Sequence, residues 1–437
     1  MKIRVLVLLL TLITPFLGLA QEKSLSILKS HGFDSARSFL ETQTHLTPEE
    51  KATSLIRLYE QNSNPLDIQE LDLSNMELTE LPAFVLKYRN LNRLNLSNNR
   101  ITALPKKLRK LSKLQALNLS GNALNGVELV LPRLKRIRTL DLSHNELMEL
   151  PSWVKKIKRV EKLFLGYNGL TSLPKDLRKF RKLESLEIKA NNLVNFGAQL
   201  RSAKRLKSFH TLIAYNANIE QIPDNIPCLK RLRVLDLSHN QIQYISPEIG
   251  KLSQLEQLYF HNSQIKELPA AISQCQNLFM LTLQQNELKN LPEEFVELKN
   301  MTSLFLNNNK LESLPERMGE MNLSEVYVYH NKLFSLPESI GNLSELVHIR
   351  FDNTYISEFP PQLLKLKKVE SINFTDSHIS ILPEDILNLN SLEILAFREA
   401  TIDMDHPGNK HYDEVVRKLY NRGVKVYLID YENSEEK

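Results

Sequence analysis

Residues 91–113, LNRLNLSNNRITALPKKLRKLSK, define a pattern that recurs along most of this chain of 437 residues. Leu94 and Leu96 alternate with polar residues, which is the period of a strand with one buried face. Leu108 and Leu111 lie three apart, as on the buried edge of a short helical or 3₁₀ turn. A strand, a bend and one short turn cannot bury these leucines alone, so only neighbouring copies can complete a core.

Fifteen copies follow one another, nearly all at a spacing of 23 residues. They begin at Ile68, Leu91, Leu114, Ile137, Val160, Leu183, Phe209, Leu232, Leu255, Leu278, Met301, Leu323, Leu346, Val369 and Leu392. The copy at Leu183 carries a longer segment, residues 195–207, in place of the usual bend, and the copy at Met301 is one residue short. A Leu-Pro pair follows the strand in many copies, and proline fixes φ at that corner, as at Pro105.

The copies follow the pattern LxxLxLxxNxL and resemble leucine-rich repeats over about three quarters of the chain. The 23-residue variety with Leu-Pro is similar to the repeats of small-GTPase scaffold proteins and of many bacterial exported proteins. The resemblance implies a right-handed α/β solenoid, with fifteen parallel strands on the concave side and helical or 3₁₀ turns on the convex side. It does not name a ligand, because this family binds unrelated partners on one scaffold.

The resemblance also implies a structural role for one asparagine in each copy. Nine copies have it: Asn99, Asn122, Asn145, Asn168, Asn191, Asn240, Asn286, Asn309 and Asn331. Each side-chain amide is expected to bond backbone groups that the bend leaves unpaired. The other copies have Met76, Ala217, Ser263, Thr354, Ser377 or Ala400 there, and only serine and threonine can replace part of this bonding.

The segments outside the repeats predict export and two caps. Residues 1–20 combine Lys2 and Arg4, an apolar run and small residues before Gln21, which is typical of a cleaved signal peptide. Residues 21–64 predict a helical cap, with a capping box at Thr47 to Glu50, residues 65–402 hold the repeats, and residues 403–437 predict a helix and strand cap. We expect a periplasmic or secreted protein, from a Gram-negative bacterium, with no transmembrane anchor.

Enzymatic chemistry is not predicted. The flanking segments are too small to bury separate catalytic domains, and the chain has no Gly-rich phosphate loop, paired zinc cysteines or nucleophile motif. The acidic and histidine residues between Asp403 and Asp413 lack the spacing of metal ligands. They are typical of a polar loop before the last helix. We therefore expect no cofactor and no metal. Cys228 and Cys275 are expected to be free and buried, since strands two copies apart lie roughly 10 Å from each other.

Charge is unevenly distributed along the chain. Residues 101–250 hold 27 Lys and Arg against 12 Asp and Glu, whereas residues 251–437 hold 18 against 28. The excess basic residues fall on the outer turns, and we call them the convex basic stripe: Lys106, Lys107, Arg109, Lys110, Lys135, Arg136, Lys155, Lys156, Lys158, Arg159, Arg178, Lys179, Arg181, Lys182, Arg201, Lys204, Arg205, Lys230 and Arg231. The stripe suits lipopolysaccharide phosphates, an acidic glycan or an acidic protein, or it is an ordinary solvated surface. Nucleic acid does not fit, because no aromatic residues are interleaved for base stacking.

Aromatic residues mark one face of the predicted sheet. We call the sheet face that carries the equivalents of Arg93, Asn95 and Ser97 the concave face. From the fifth copy onward this face is predicted to carry Phe164, Tyr167, Ile213, Tyr215, Tyr259, His261, Met280, Phe305, Tyr327, Tyr329 and His330. Such a row suits recognition, although aromatic neighbours also stabilise a sheet by packing on each other.

The sequence therefore predicts an exported, non-enzymatic module that binds a protein or glycan on the concave face, centred on Tyr259, Phe305 and Tyr327. The alternative function is an envelope or polyanion adhesin that uses the convex basic stripe.

Overall fold

The computed structural model describes residues 47–54, 66–124, 134–151, 153–173, 177–194, 196–398 and 402–428. The predicted signal peptide and most of residues 21–64 lie outside the described residues. The chain divides into two compact units, Met1–Asn191 and Asn192–Lys437.

The first unit contains a parallel sheet whose described strands pair in chain order. Its strands are β1 (Glu70–Asp72), β2 (Arg93–Asn95), β3 (Ala116–Asn118), β4 (Thr139–Asp141), β5 (Lys162–Phe164) and β6 (Ser185–Glu187). The outer 3₁₀ turns span Ala83–Lys87, Lys106–Lys110, Val154–Lys156 and Leu177–Lys179. Leu94 of β2 pairs with Leu71 of β1 and Leu117 of β3, and each is at most 2% exposed. Stacked leucines thus form the core that no single copy could form.

A short helix over residues 48–54 precedes the repeats of the first unit. Glu50 N donates to Thr47 Oγ1 at 3.2 Å, and Thr47 N donates to Glu50 Oε2 at 2.8 Å. This is the reciprocal pair of a capping box, and it satisfies backbone N–H groups that a helix start leaves without partners.

The second unit contains a longer parallel sheet of the same kind, in which β7, β9 and β11 to β18 pair in that order. Its strands are β7 (Thr211–Ile213), β8 (Gln221–Ile222), β9 (Val234–Asp236), β10 (Tyr244–Ile245), β11 (Gln257–Tyr259), β12 (Met280–Thr282), β13 (Ser303–Phe305), β14 (Glu325–Tyr327), β15 (His348–Arg350), β16 (Ser371–Asn373), β17 (Ile394–Phe397) and β18 (Lys425–Leu428). The strands β8 and β10 form a separate parallel pair, which the sequence did not predict.

Outer turns and two helices complete the second unit. The 3₁₀ turns span Arg201–Arg205, Ile226–Leu229, Pro247–Lys251, Ala270–Gln274, Glu293–Glu297, Met318–Glu320, Glu338–Asn342, Pro361–Lys365, Glu384–Asn388 and Pro407–Asn409. The helix α1 (Phe196–Leu200) lies in the longer copy, and α2 (Tyr412–Asn421) precedes β18, which pairs with β17. Parallel strands with outer 3₁₀ turns confirm the predicted solenoid.

The segment after the last repeat is joined to it by Asn409, which is 4% exposed. Its Oδ1 accepts from Leu382 N at 3.0 Å, and its Nδ2 donates to Ser380 O at 2.8 Å. Nearby, His406 Nδ1 accepts from Gly408 N and Asp403 Oδ1 accepts from Asp405 N. The polar groups in this loop thus stabilise its own turns.

The repeat asparagines make one shared set of hydrogen bonds, as Asn99 illustrates. Its Oδ1 accepts from Met76 N at 3.0 Å and Leu78 N at 2.9 Å. Its Nδ2 donates to the carbonyls of Leu73 and Leu96 at 2.8 and 2.9 Å. Each bond to a residue about 23 positions earlier joins one copy to the next, so the side chain replaces backbone partners that the bend lacks.

Copies without the asparagine differ from each other. Thr354 Oγ1 donates to Phe351 O at 2.8 Å and so reproduces one of the bonds. Ser263 does not, because its buried Oγ has no hydrogen-bond partner. The expectation that serine would replace part of the bonding is therefore wrong at Ser263, whose shorter side chain has a single hydroxyl.

A left-handed residue stands before each asparagine and reverses the chain direction. Asn98, Tyr167 and His330 have φ of 54°, 52° and 52°. Gly121 has φ of 64° at the same position, and a Cβ there would lie 2.2 Å from Asn98 Oδ1. Glycine adopts this conformation without strain and leaves room for the Asn98 side chain of the preceding copy, whereas the non-glycine residues at the same position in other copies accept the strained φ.

Both cysteines are free, but they differ in burial. Cys275 is buried, as expected, and its thiol pKa is raised to about 12 by that burial. Cys228 is only half-buried, so the expectation that both thiols are buried is wrong for it. It follows Pro227 in the wall of a cavity that lies beside the longer copy.

Candidate functional site

The concave-face aromatics of the second unit stand at the ends of neighbouring strands. Tyr259, Phe305 and Tyr327 close β11, β13 and β14, and each is half-buried beside a fully buried strand residue. The pleat explains this pattern, because the middle residue of each strand points into the core and its neighbours point away from it.

Phe305 and Tyr327 pack directly on each other. They are paired in register on β13 and β14, and their rings are 3° from parallel with centroids 5.1 Å apart. Stacking holds both rings upright on the sheet while leaving their outer edges accessible.

Arg350 extends this cluster on the next strand. It pairs with Tyr327 in register, and its guanidinium lies 4.3 Å from the centre of the Tyr329 ring. Two of its nitrogens, Nε and Nη2, donate to the Asp352 carboxylate at 3.1 Å each. Burial opposes the charge on the Arg350 side chain, but the bonded Asp352 carboxylate still raises the pKa of the guanidinium. The arginine is therefore held in place over the tyrosine.

Two carboxylates adjoin the tyrosines without a basic partner. Glu325 lies on the same strand and face as Tyr327, and Asp236 is paired with Tyr259 in register. Burial raises the pKa of both phenols, and the carboxylate beside each one adds to the effect. Within the described residues, no Lys or Arg nitrogen lies within 4.0 Å of either carboxylate. This part of the concave face is aromatic and locally acidic.

Histidines form a second cluster on the same face. The ring centroids of His239 and His261 lie 4.9 Å apart in an edge-to-face arrangement, and Tyr215 lies 6.3 Å from His239. Asn262 Nδ2 lies 2.7 Å from His239 Nδ1, and His261 Nδ1 lies 3.3 Å from Thr282 Oγ1. A shallow cavity of about 380 Å³ opens between Tyr215, His239 and Asn262.

The histidine pair also disfavours protonation. Burial lowers the pKa of His261, the neighbouring His239 lowers it further, and Asp236 opposes this shift. His261 is therefore an uncharged hydrogen-bonding group over most of the neutral range.

The eleven predicted residues are distributed over both units. Ile213, Tyr215, Tyr259, His261, Met280, Phe305, Tyr327, Tyr329 and His330 lie in the second unit, whereas Phe164 and Tyr167 lie in the first. In the first unit, Tyr167 stacks on His144 with centroids 4.1 Å apart, and Lys189 Nζ lies 5.6 Å from its ring centre.

Tyr167 and His330 occupy the left-handed turn, not an alternating strand position. Each lies beside the concave face, one residue beyond the last position that strand alternation can place. His330 still contacts the aromatic cluster, because its ring lies 5.4 Å from that of Tyr329.

Sequence reasoning missed Asp236, His239, Glu325, Arg350 and Asp352. Aromatic residue type alone does not mark this site, because charged residues on the same strands complete the cluster. Listing every residue at the positions equivalent to Asn95 and Ser97 would have included Asp236, Arg350 and Asp352.

Metal ligation finds no support in the described ranges. No group of three or more His, Cys, Asp or Glu residues there could hold a metal ion. In the same ranges, every helix is too short or too polar to cross a bilayer.

Comparison with known proteins agrees with this fold. A family model described as a leucine-rich repeat region matches residues 209–332, and one described as leucine rich repeat matches residues 67–124 and 89–147. None of the curated protein sequences matches the chain significantly. The repeats of this chain are leucine-rich repeats.

Three solved structures illustrate the likeness. A leucine-rich-repeat protein of Leptospira interrogans is 27% identical, with a TM-score of 0.67 and coverage of 85% of each chain. The ectodomain of a plant membrane receptor kinase from Arabidopsis thaliana, in complex with Casparian strip integrity factor 2, is 24% identical with a TM-score of 0.51, covering 77% of this chain and 48% of that one. An internalin from Listeria monocytogenes is 16% identical with a TM-score of 0.55, covering 79% and 89%.

Proposed function

We propose that this chain is an exported, non-enzymatic protein that recognises a protein partner on the concave face of its second unit. The observation that carries the proposal is the half-buried row of Tyr259, Phe305 and Tyr327 beside two carboxylates that lack a basic partner. Aromatic rings on one face of a rigid sheet offer large contact area at little cost in side-chain entropy.

The charges favour a basic segment on the partner. Arg350 is already neutralised by Asp352, but Asp236 and Glu325 have no such neighbour among the described residues. A lysine or arginine of the partner placed over a tyrosine face would make a cation–π contact with the ring and an ion pair with the adjacent carboxylate. A glycan would lack this charge, so the balance of the surface favours a protein.

The solved structures support protein recognition by analogy of fold. The Arabidopsis ectodomain is seen with a bound factor, and the Leptospira and Listeria proteins show that bacterial chains also use this scaffold. Fold alone does not carry a ligand from one protein to another, so the proposal depends on the side chains described above.

Export is part of the proposal and has a direct test. We expect the protein recovered from its native cell to lie outside the cytoplasm and to begin at Gln21, after the signal peptide of residues 1–20. N-terminal sequencing that still finds the apolar run before Ala20 in the mature protein would contradict export by cleavage.

The partner is sought by crosslinked capture from the native cell envelope, followed by affinity measurement with the purified partner. Asp236→Asn and Glu325→Gln should each weaken binding, because each removes a charge from the contact. Both substitutions nearly preserve side-chain shape, and an asparagine Oδ1 can still accept the bonds that Asp236 Oδ1 accepts from Ser238 N and Oγ, so the melting temperature should change little. Unchanged affinity in both variants would contradict the basic-segment proposal.

A second candidate function uses the convex basic stripe. Lys106, Lys107, Arg109 and Lys110 are exposed on one 3₁₀ turn of the first unit, with no acidic partner within 4.0 Å among the residues described. This surface would attract an acidic glycan or lipopolysaccharide phosphate. Salt distinguishes the two functions, because binding through exposed charges should collapse at high ionic strength and aromatic binding should largely persist.

A further inference from the structure

A cavity lies beside the longer copy of the second unit, where the repeat is irregular. Its extra residues end in the 3₁₀ turn Arg201–Arg205, and the next copy places Ile226–Leu229 opposite. A cavity of about 530 Å³ lies beside these two turns, with Lys204, Lys207, Pro227, Cys228, Lys230 and Arg231 in its wall. This volume is within the range of about 300–1,000 Å³ for small-molecule sites.

Four cations surround the cavity without acidic partners. Lys204, Lys207, Lys230 and Arg231 are all exposed, and within the described residues no carboxylate oxygen lies within 4.0 Å of their nitrogens. Arg231 Nη1 donates to the carbonyl of Lys207 at 2.5 Å, which fixes the arginine across two neighbouring copies. The positive charge is therefore concentrated at one place and partly immobilised.

The two acidic residues in the wall are already engaged. Asp224 Oδ1 accepts from the Ser246 hydroxyl at 2.6 Å. Both Glu248 carboxylate oxygens accept from Lys251 Nζ, at 2.8 and 2.6 Å. Neither carboxylate is directed at the four cations, so the cavity keeps a net positive charge.

The inner wall is apolar. Leu206, Phe209 and Leu229 are at most 6% exposed, and Pro227 and Cys228 are half-buried between them and the cations. We propose that the cavity binds a small organic anion, a phosphate monoester whose apolar body lies against Pro227 and Cys228. The phosphate would be met by Lys204, Lys207 and Lys230 at the rim. This proposal is independent of the concave-face function.

The Cys228 thiol in the cavity wall can report ligand binding in the intact protein. Cys275 is 0% exposed and its pKa is raised to about 12, so a mild alkylating reagent should modify Cys228 alone. The experiment measures the rate of Cys228 alkylation at constant ionic strength, with phenyl phosphate, inorganic phosphate or phenol added. We expect phenyl phosphate to slow alkylation at least about fivefold at saturation, because it would occupy the space before the thiol. Phosphate alone and phenol alone should need at least about tenfold higher concentrations for half-maximal protection, since each lacks half of the contacts.

Two matched variants locate the effect. Lys204→Gln with Lys230→Gln should raise the phenyl phosphate concentration needed for half-maximal protection about tenfold or more, since charge-assisted bonds are lost. Lys106→Gln with Lys107→Gln removes the same charge from the first unit and should leave protection unchanged. All four lysines are exposed, so both variants should melt like the parent protein.

Each contrary result overturns the proposal. Absence of protection by phenyl phosphate would show that the cavity does not bind this class of ligand. Equal protection by inorganic phosphate would show that the cavity binds through charge alone. Equal protection by phenol would show that it binds through apolar contact alone. Equal loss in the control variant would assign the effect to the whole convex basic stripe.

Discussion

The rings of Phe305 and Tyr327 lie parallel to within 3°, with centroids 5.1 Å apart, at paired positions on neighbouring strands. Their backbones are fixed by the sheet and their side chains by each other. Two large rings are therefore ordered at the surface before any partner arrives, which lowers the entropy cost of binding. The finding links the regular repeat to a candidate recognition surface.

We expect this stack to contribute modestly to stability. A double-mutant cycle with Phe305→Leu and Tyr327→Leu should give a coupling free energy of about 0.5–1.5 kcal/mol in urea unfolding, the range for aromatic pairs. Coupling indistinguishable from zero would contradict the packed stack.

The strand register predicts opposite outcomes for two neighbouring substitutions. Leu96 is 0% exposed in the core, so Leu96→Asp should destabilise the first unit by about 3 kcal/mol or more or unfold it. Asn98 is exposed on the left-handed turn, and aspartate tolerates that conformation, so Asn98→Asp should change stability by less than about 0.5 kcal/mol. Thermal melting of both variants tests this, and equal shifts would show that the register is wrong.

The copy that has Ser263 in place of the repeat asparagine predicts a stabilising substitution. Ser263 Oγ is buried without a partner, whereas Asn240 one copy earlier accepts from two backbone N–H groups, at 2.9 and 3.0 Å. Ser263→Asn should raise the free energy of unfolding by about 1 kcal/mol, since it supplies bonds to buried backbone groups. The control Ser263→Ala should be nearly neutral, and destabilisation by asparagine would contradict the role assigned to the repeat asparagines.

Stability should depend on pH through His261. Its pKa is lowered in the folded protein from 6.5, so the unfolded chain binds more protons once the pH falls below about that value. Folding stability should therefore be complete above this pKa and decrease as the pH falls through it toward the folded value. Urea unfolding at about pH 7.5 and about pH 5 measures the loss, and His261→Gln should reduce it. An unchanged loss in the variant would show that other groups cause it.

Periodicity was sufficient for the fold, because leucine spacing dictates both the strand and the outer turn of each copy. Periodicity predicted only some of the residues of the candidate site. Alternation places Tyr259 and Phe305 correctly at strand ends, but it cannot place Tyr167 or His330, which lie beyond the strand at φ of 52°. Arg350 and Asp352 were missed because only aromatic and apolar residues were considered at the strand positions, and the contact of Arg350 with the Tyr329 ring is visible only in three dimensions. The cavity beside Cys228 arises where the repeat becomes irregular, so a regular pattern could not predict it.

The central claim concerns where the partner binds, and one comparison of affinities tests it most directly. The variant Tyr259→Ala with Tyr327→Ala is measured against Asn95→Ala with Asn118→Ala, which alters the equivalent strand positions in the first unit. Both variants are measured at a temperature where each is fully folded, because the tyrosine pair loses the Phe305–Tyr327 stack and the asparagine pair loses bonds that Asn95 and Asn118 accept from backbone N–H groups. We expect the tyrosine pair to weaken binding of the captured partner about 100-fold, or about 2.7 kcal/mol, and the asparagine pair to bind like the parent. Equal affinity for the two variants would contradict the concave-face site.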